Sequence, residues 1–441
     1  MNNKKIFHAK WIIPVKPDGK ILKNYSLEVT GSRISNVIKT DKWKKENSRK
    51  NILEYDYTNM AIIPGFVNTH THSAMSLLRG FADDKPLETW LENYIWPVES
   101  KLAGKQFVQD GTRLAIAEML LSGTTCFNDM YFFPEETVKT AIEMGMRATV
   151  GMIVIKYPSI WARDENEYFR KGQEMFDNFR NHPLINFSFA PHAPYSVSDE
   201  ALTKIGTLSE ELDVPIHIHL HETKNELEES KRIYNKSPIL RLDSLKLLSK
   251  RLVAAHVTKI SDREIKLISE SGTSVIHCPR SNLKLGSGIA PISKMKMAGV
   301  NICIGTDSCA SNNDLDFFNE MRTAALLAKG YTESASDISA QEALEMATYN
   351  GALALGLEDK IGSLEKGKCA DFAAIKFGEI GSTPVYNPVS QIVYSGQNSQ
   401  VQHVWVEGKQ VVDNRKVLNN DIPSLLRRVS TWETKIAKVT S

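Results

Sequence analysis

The sequence predicts an α/β protein, a (β/α)8 TIM-type barrel joined to a small β-sandwich domain that is built from both chain ends. Three observations lead there. From about Pro64 short apolar runs alternate with amphipathic helical periods, which implies βα units and a parallel sheet. Both ends of the chain carry turn-rich β patterns instead. Histidines also recur at the carboxyl ends of the strand candidates, the rim where such barrels collect functional side chains.

The N-terminal part gives short strands at Lys5 to Pro14, Tyr25 to Thr30 and Arg33 to Ile38, with a turn at Pro17-Asp18-Gly19. The basic segment Lys39 to Lys50, with Lys42, Lys44, Lys45, Arg49 and Lys50, reads as a solvated loop, because acidic residues interleave it and no aromatic series accompanies it. Eight strand candidates follow, at Ala61–Asn68, Thr124–Met130, Arg147–Ile155, Ile185–Ala190, Pro215–Leu220, Leu252–His256, Thr273–His277 and Val300–Gly305. Helical periods separate them, among them Asp199–Leu212, Asp262–Glu270 and Leu315–Lys329, with stops at Gly123, Gly145, Gly272, Gly299 and Gly330. A helix over Ala340–Leu355 leads back to β pattern, and a last helix over Ser424–Val439 is expected to pack on the outside. The expected divisions are residues 1–62 and 361–423 for the two parts of the sandwich, 63–360 for the barrel, and 424–441 for the terminal helix.

Composition narrows the function. The chain has 441 residues, of which 42% are hydrophobic and 24% charged, so it can build a large core. A net charge of +2 carries no polyanion-binding signal, and no nucleic-acid partner is expected. No apolar run reaches the ~18 residues of a membrane span. The apolar stretch after Lys4 and Lys5 is broken by His8 and Lys10, and no small-residue cleavage site follows. Five scattered cysteines form no CxxC pair, which excludes a cysteine-rich zinc site and fits reduced thiols in a cytoplasmic protein.

The apolar run from Ala61 ends in His70 and His72, which point the same way from one strand end because strand side chains alternate faces. Further strand ends carry His192, His256 and His277, and His217, His219 and His221 alternate onto one face, so spacing leaves open which of the three is used. Strand eight ends in Asp307. Several imidazoles and one carboxylate at one rim suit a single divalent ion, Zn²⁺ or Fe²⁺. Glu222, after the fifth strand, can reach the pocket as a proton carrier or can start the next helix.

Pro64-Gly-Phe-Val-Asn-Thr-His-Thr-His72, His219-Leu-His-Glu222, Ala254-Ala-His256 and Gly305-Thr-Asp307-Ser-Cys-Ala-Ser-Asn-Asn313 together resemble the mononuclear branch of the amidohydrolase superfamily. Met75-Ser-Leu-Leu-Arg-Gly80, Trp96-Pro-Val-Glu99, Pro191-His-Ala-Pro-Tyr195 and Ser281-Asn-Leu-Lys-Leu-Gly-Ser-Gly288 resemble, more narrowly, the 5-methylthioadenosine/S-adenosylhomocysteine deaminases, kin of the triazine hydrolases. The resemblance implies one divalent metal per subunit held by His70, His72, His219 and Asp307. It implies that His256 hydrogen-bonds the attacking hydroxide, that Glu222 hands a proton to the purine N1, and that Asp307 passes the water proton to the leaving ammonia. Glu99 would hold the ribose hydroxyls, with His192 beside the ribose. It implies a nucleoside substrate and a homo-oligomer, dimer or tetramer.

One departure stands out. The family places arginines on and after strand three near the substrate tail, where this chain reads Thr149-Val-Gly-Met-Ile-Val-Ile-Lys156. Lys156 or Arg163 would have to serve, and apolar Met152 and Ile153 would favour the uncharged methylthio substrate. The alternatives are the same centre acting on another purine, pyrimidine or triazine ring, and a non-catalytic scaffold. Glu222 favours deamination, since a ring nitrogen needs its proton, and a scaffold would be expected to lose ligands of which none is missing.

Overall fold

The computed structural model describes residues 4–17, 19–47, 52–418 and 420–440. Asp18 of the expected turn and Arg49 and Lys50 of the basic segment lie outside them. Strands β1 (Lys4–Ile12), β2 (Leu22–Thr30), β3 (Arg33–Lys39) and β4 (Leu53–Pro64) form one side of a mixed sheet. Eight barrel strands follow: β5 (Phe66–Thr71), β6 (Thr124–Asp129), β7 (Arg147–Val154), β8 (Ile185–Pro191), β9 (Ile216–Leu220), β10 (Leu252–His256), β11 (Ser274–His277) and β12 (Ile302–Ile304). Strands β13 (Phe372–Lys376), β14 (Val401–Val406), β15 (Lys409–Asp413) and β16 (Lys416–Val417) complete the first sheet, in the order β16-β15-β14-β13-β4-β1-β2-β3. Phe7, Leu27, Ile34, Tyr57, Phe372 and Trp405, drawn from six of its strands, share one buried core, so the two chain ends do build one unit.

The barrel strands run parallel in sequence order, β5 to β12. The two outer strands meet where Asp307 N–H donates to His70 O at 3.0 Å and Thr69 Oγ1 donates to Ile304 O at 2.8 Å. A large apolar core lies between the strands and the helices around them.

Local chemistry explains most boundaries. Asp199–Leu212 begins after Ser198, whose side chain accepts from Ala201 N–H, and Asp262–Ser271 opens with a Ser261/Glu264 capping box and ends at left-handed Gly272. Four expectations are corrected. The run Ala61–Asn68 is not one strand: it divides at Gly65, where a Cβ would lie 2.0 Å from Thr125 Oγ1, so that Ala61–Pro64 belongs to the mixed sheet and Phe66 starts the barrel. The basic segment is not a loop but a helix over Thr40–Asn47, anchored by buried Trp43, whose indole N–H donates to Glu28 Oε2 at 3.0 Å. Gly330 does not stop its helix, which runs over Phe317–Thr332 to a left-handed Glu333. The helix expected over Ala340–Leu355 is interrupted at Thr348.

The last helix, Ile422–Thr440, packs through Leu425, Trp432 and Ile436. Asp110 on the helix Lys105–Leu121 ties it down, accepting from Arg428 Nε at 2.7 Å and Trp432 Nε1 at 3.0 Å. Among the described residues no helix is long and apolar enough to cross a membrane. All five cysteines are free and buried.

Candidate metal and deaminase site

Strand ends bring the sequence-selected residues together. His70 and His72 leave β5, His219 sits near the end of β9, and Asp307 follows β12. The ligand atoms of His70, His72 and His219 all lie within 4.8 Å of one another, as do those of His70, His256 and Asp307. Asp307 Oδ1 is 3.4 Å from His70 Nε2 and 3.3 Å from His72 Nε2.

The hydrogen bonds on the far side of each ring decide what the near side can do. His72 Nδ1–H donates to Met130 O at 2.6 Å, and His219 Nδ1–H donates to His192 O at 2.7 Å. Both Nε2 atoms therefore face the site, only 3.1 Å apart. A shared cation, metal ion or proton, lets two ring nitrogens approach so closely, and carbonyl-fixed imidazoles are how metal-binding histidines are oriented. His70 Nε2 is buried with no hydrogen bond. Its other nitrogen, Nδ1, is 2.7 Å from His217 Nε2, so His217 backs the ligand ring.

Charge agrees with geometry. Burial lowers His70 to about 4 and holds His219 well below the usual imidazole range, so both are neutral donors at pH 7. Burial alone would raise Asp307, but His70 and His72 beside it outweigh that and hold its carboxyl well below the usual range. At His72 burial is outweighed by Asp307 beside it, which shifts that imidazole upward, so the carboxylate favours a cation among the rings, and three imidazoles with one carboxylate fit a borderline divalent ion such as Zn²⁺.

Around this centre lie the other expected groups. Glu222 Oε2 is 3.8 Å from His256 Nε2. Its turn is held by buried Glu226, which accepts from His221 N–H at 3.0 Å and Glu222 N–H at 2.7 Å and which burial pushes up to about 7. Glu222 precedes the N-cap Thr223 of the helix Lys224–Tyr234, so it is not a helix-start carboxylate. Glu99 accepts from Tyr131 OH at 2.7 Å, and burial of its carboxyl raises it to about 7. His192 packs on His219 with ring centroids 5.0 Å apart. His221, His256 and Asp307 all have left-handed φ (54°, 75° and 61°) at strand ends on the rim.

Other candidates separate from the cluster. His221 turns outward, its Nδ1–H donating to Lys259 O at 2.6 Å and its Nε2 accepting from Ile239 N–H at 3.1 Å. His277 lines an apolar cavity with Ile289, Ile292 and Leu327. Arg163 is exposed and paired with Glu167 at 2.9 Å. Met152 faces Gly172 on the neighbouring helix, a position from which it cannot line the pocket. The backing roles of His217 and Tyr131 were not legible in sequence, though His217 shares the inward face of β9 with His219.

The family model described as "Amidohydrolase family" matches residues 61–411. The chain belongs to the amidohydrolase family. One relative of this amidohydrolase, a 5-methylthioadenosine/S-adenosylhomocysteine deaminase from Teredinibacter turnerae, is 45% identical over 428 residues, covering 97% of this chain and 96% of the relative. A 5'-deoxyadenosine deaminase from Methanosphaera stadtmanae is 42% identical over 365 residues, 82% of this chain and 85% of the relative. Among solved structures, an adenosine deaminase from Xanthomonas campestris with bound zinc has a TM-score of 0.96 at 42% identity, covering 98% of each chain.

Proposed function

We propose that this amidohydrolase is a metal-dependent hydrolytic deaminase. It acts on the adenine ring of 5'-methylthioadenosine, S-adenosylhomocysteine or both, adding water at C6 and releasing ammonia and the inosine derivative. The observation that carries the reading is the pairing of a convergent three-histidine, one-aspartate donor set with Glu222 at its edge. The names of the relatives support the substrate class, since they share the adenine nucleoside and differ at the 5' group.

His70, His72, His219 and Asp307 would hold one zinc ion, with iron as the alternative. Such an ion, when bound, lowers the pKa of water from 15.7 to about 7 and so makes hydroxide available at neutral pH. Attack on C6 breaks ring aromaticity and pushes electrons onto N1. Glu222 delivers a proton there, and a positioned carboxyl of this kind contributes about 10²- to 10⁴-fold. Asp307 accepts the second proton of the attacking water and passes it to the departing amine, which leaves as ammonia. His256 orients the attacking oxygen by a hydrogen bond. Glu99 accepts from the ribose hydroxyls, beside His192. The free buried thiols support a cytoplasmic setting. A homo-oligomer, dimer or tetramer, is the assembly expected for the family.

The test is the ultraviolet spectrum of the two nucleosides incubated with zinc-loaded protein. Conversion of the adenine to the hypoxanthine spectrum with one ammonia per nucleoside is expected; an unchanged adenine spectrum for both would overturn the substrate assignment.

A further inference from the structure

The side chains of the motif Ser281 to Gly288 touch Glu222 and Asp307, which move the protons, and His256, which orients the attacking oxygen. It comprises the short helix Pro279–Lys284 and the turn after it. Ser281 Oγ donates to Asp307 Oδ2 at 2.6 Å, Asn282 Oδ1 is 2.9 Å from His256 Nδ1, and Ser287 Oγ donates to Glu222 Oε1 at 3.0 Å. Those three partners come from the ends of three different strands. Ser281, Asn282 and Ser287 are all buried.

The local backbone is built to deliver them. Ser287 N–H returns to Asn282 O at 2.9 Å, which folds the turn back over its own helix. Gly286 and Gly288 have φ of +67° and +123°, left-handed backbone that favours glycine on either side of Ser287. Ser287 O is also anchored, accepting from Thr258 Oγ1 at 3.2 Å.

Each contact removes an ambiguity. A carboxylate has two equivalent oxygens and an imidazole two nitrogens, and chemistry needs one of each presented. Ser281 and Ser311, the latter at 2.8 Å, occupy Asp307 Oδ2 and leave Oδ1 facing His70 and His72. Ser287 occupies Glu222 Oε1 and leaves Oε2 toward His256. Asn282 Oδ1 accepts the Nδ1–H of His256 and so fixes the tautomer in which Nε2 carries the lone pair.

We propose that Ser281, Asn282 and Ser287 are positioning residues of the deamination reaction, one short helix and its turn choosing which oxygen of Asp307 and of Glu222, and which nitrogen of His256, faces the reacting ring. This rests on the deaminase reading above.

The experiment compares wild-type protein with Ser287→Ala, Ser287→Thr, Asn282→Leu and Asn282→Asp, measuring kcat and KM on an adenine nucleoside together with bound zinc and melting temperature. Loss of a partner that orients a metal-site residue costs about 10- to 100-fold in activity. Ser287→Ala and Asn282→Leu should lose kcat on that scale at nearly unchanged KM and zinc content. Ser287→Thr, which keeps the hydroxyl, and Asn282→Asp, which keeps the acceptor, should recover most of it. If Asn282→Leu fails to fold, Asn282→Ser, too short to reach His256, takes its place. Wild-type turnover with Ser287→Ala and Asn282→Leu at wild-type kcat would overturn the inference alone. Asn282→Asp as slow as Asn282→Leu would overturn the acceptor role of Asn282. A wild-type protein without turnover on any adenine nucleoside would overturn the deaminase reading and this inference with it.

Discussion

Glu320 offers a sharp test of how the loop after β12 is supported. It is fully buried on the helix Phe317–Thr332, accepting at Oε1 from Asn312 Nδ2 at 2.5 Å, while Asn312 Nδ2 also donates to Thr306 O at 2.7 Å beside Asp307. Glu320 Oε2 and Asn312 Oδ1 have no partner, and Arg280 is 3.8 Å away. Burial raises the Glu320 carboxyl from 4.5 to about 8. Because the folded value lies above the unfolded one, the stability it contributes is complete below pH 4.5 and is lost as pH rises through 8. At about 1.4 kcal/mol per unit, the loss between pH 5 and 9 is on the order of 4 kcal/mol. An unfolding entropy of about 2.1 cal/mol/K per residue makes that roughly 4 °C in a chain of this length. Glu320→Gln is neutral at every pH and brings a donor to a place where Asn312 Oδ1 has none. Melting temperatures of wild type and Glu320→Gln should therefore nearly coincide at pH 5 and diverge toward pH 9, with the variant higher. Parallel curves across that range would refute the reasoning, since every other titrating group is common to both proteins.

Further outcomes follow from the site and its supports. Glu222→Gln should keep zinc and KM but lower kcat by about 10²- to 10⁴-fold, measured by ammonia release. Glu99→Ala should raise KM for adenine nucleosides about ten- to hundredfold, the value of charged hydrogen bonds to ribose hydroxyls, with little effect on kcat. His219→Ala should lose bound zinc in metal analysis of the dialysed protein. Arg147 is buried and bonds Asp371 Oδ2 at 2.8 Å, just before β13, and also Glu407, in the turn between β14 and β15. Arg147→Met should cost about 3–5 kcal/mol by stranding those carboxylates, read by chemical denaturation.

What was legible in the sequence was what is local. Asp199–Leu212 carries its own cap and a strong 3.6-residue period, and the expected and observed ranges coincide. Lys224–Tyr234 shows in the sequence only as the helix that Glu222 could start, because Leu227 and Ile233 alone make no period and Thr223 is its cap. Thr40–Asn47 looked like a solvated loop because a single tryptophan anchors it. In the site, His70 and His72 declare themselves by spacing on one strand. The choice among His217, His219 and His221 depends on how far each lies along β9, which alternation cannot tell. Met152 reads as a pocket residue until the strand is placed, when it proves to face a helix.

The division at Gly65 has a mechanical consequence. A single residue separates β4, whose Ala61–Pro64 end is gripped by β13, from the strand that presents His70 and His72. There is no slack between the two sheets, so a displacement of the terminal one is transmitted through this one-residue joint to the two imidazoles. Chain lengthening that surface loops absorb freely would, at this joint, shift both rings out of reach of Asp307, and the terminal sheet is thereby a foundation for the catalytic rim at the other end of β5.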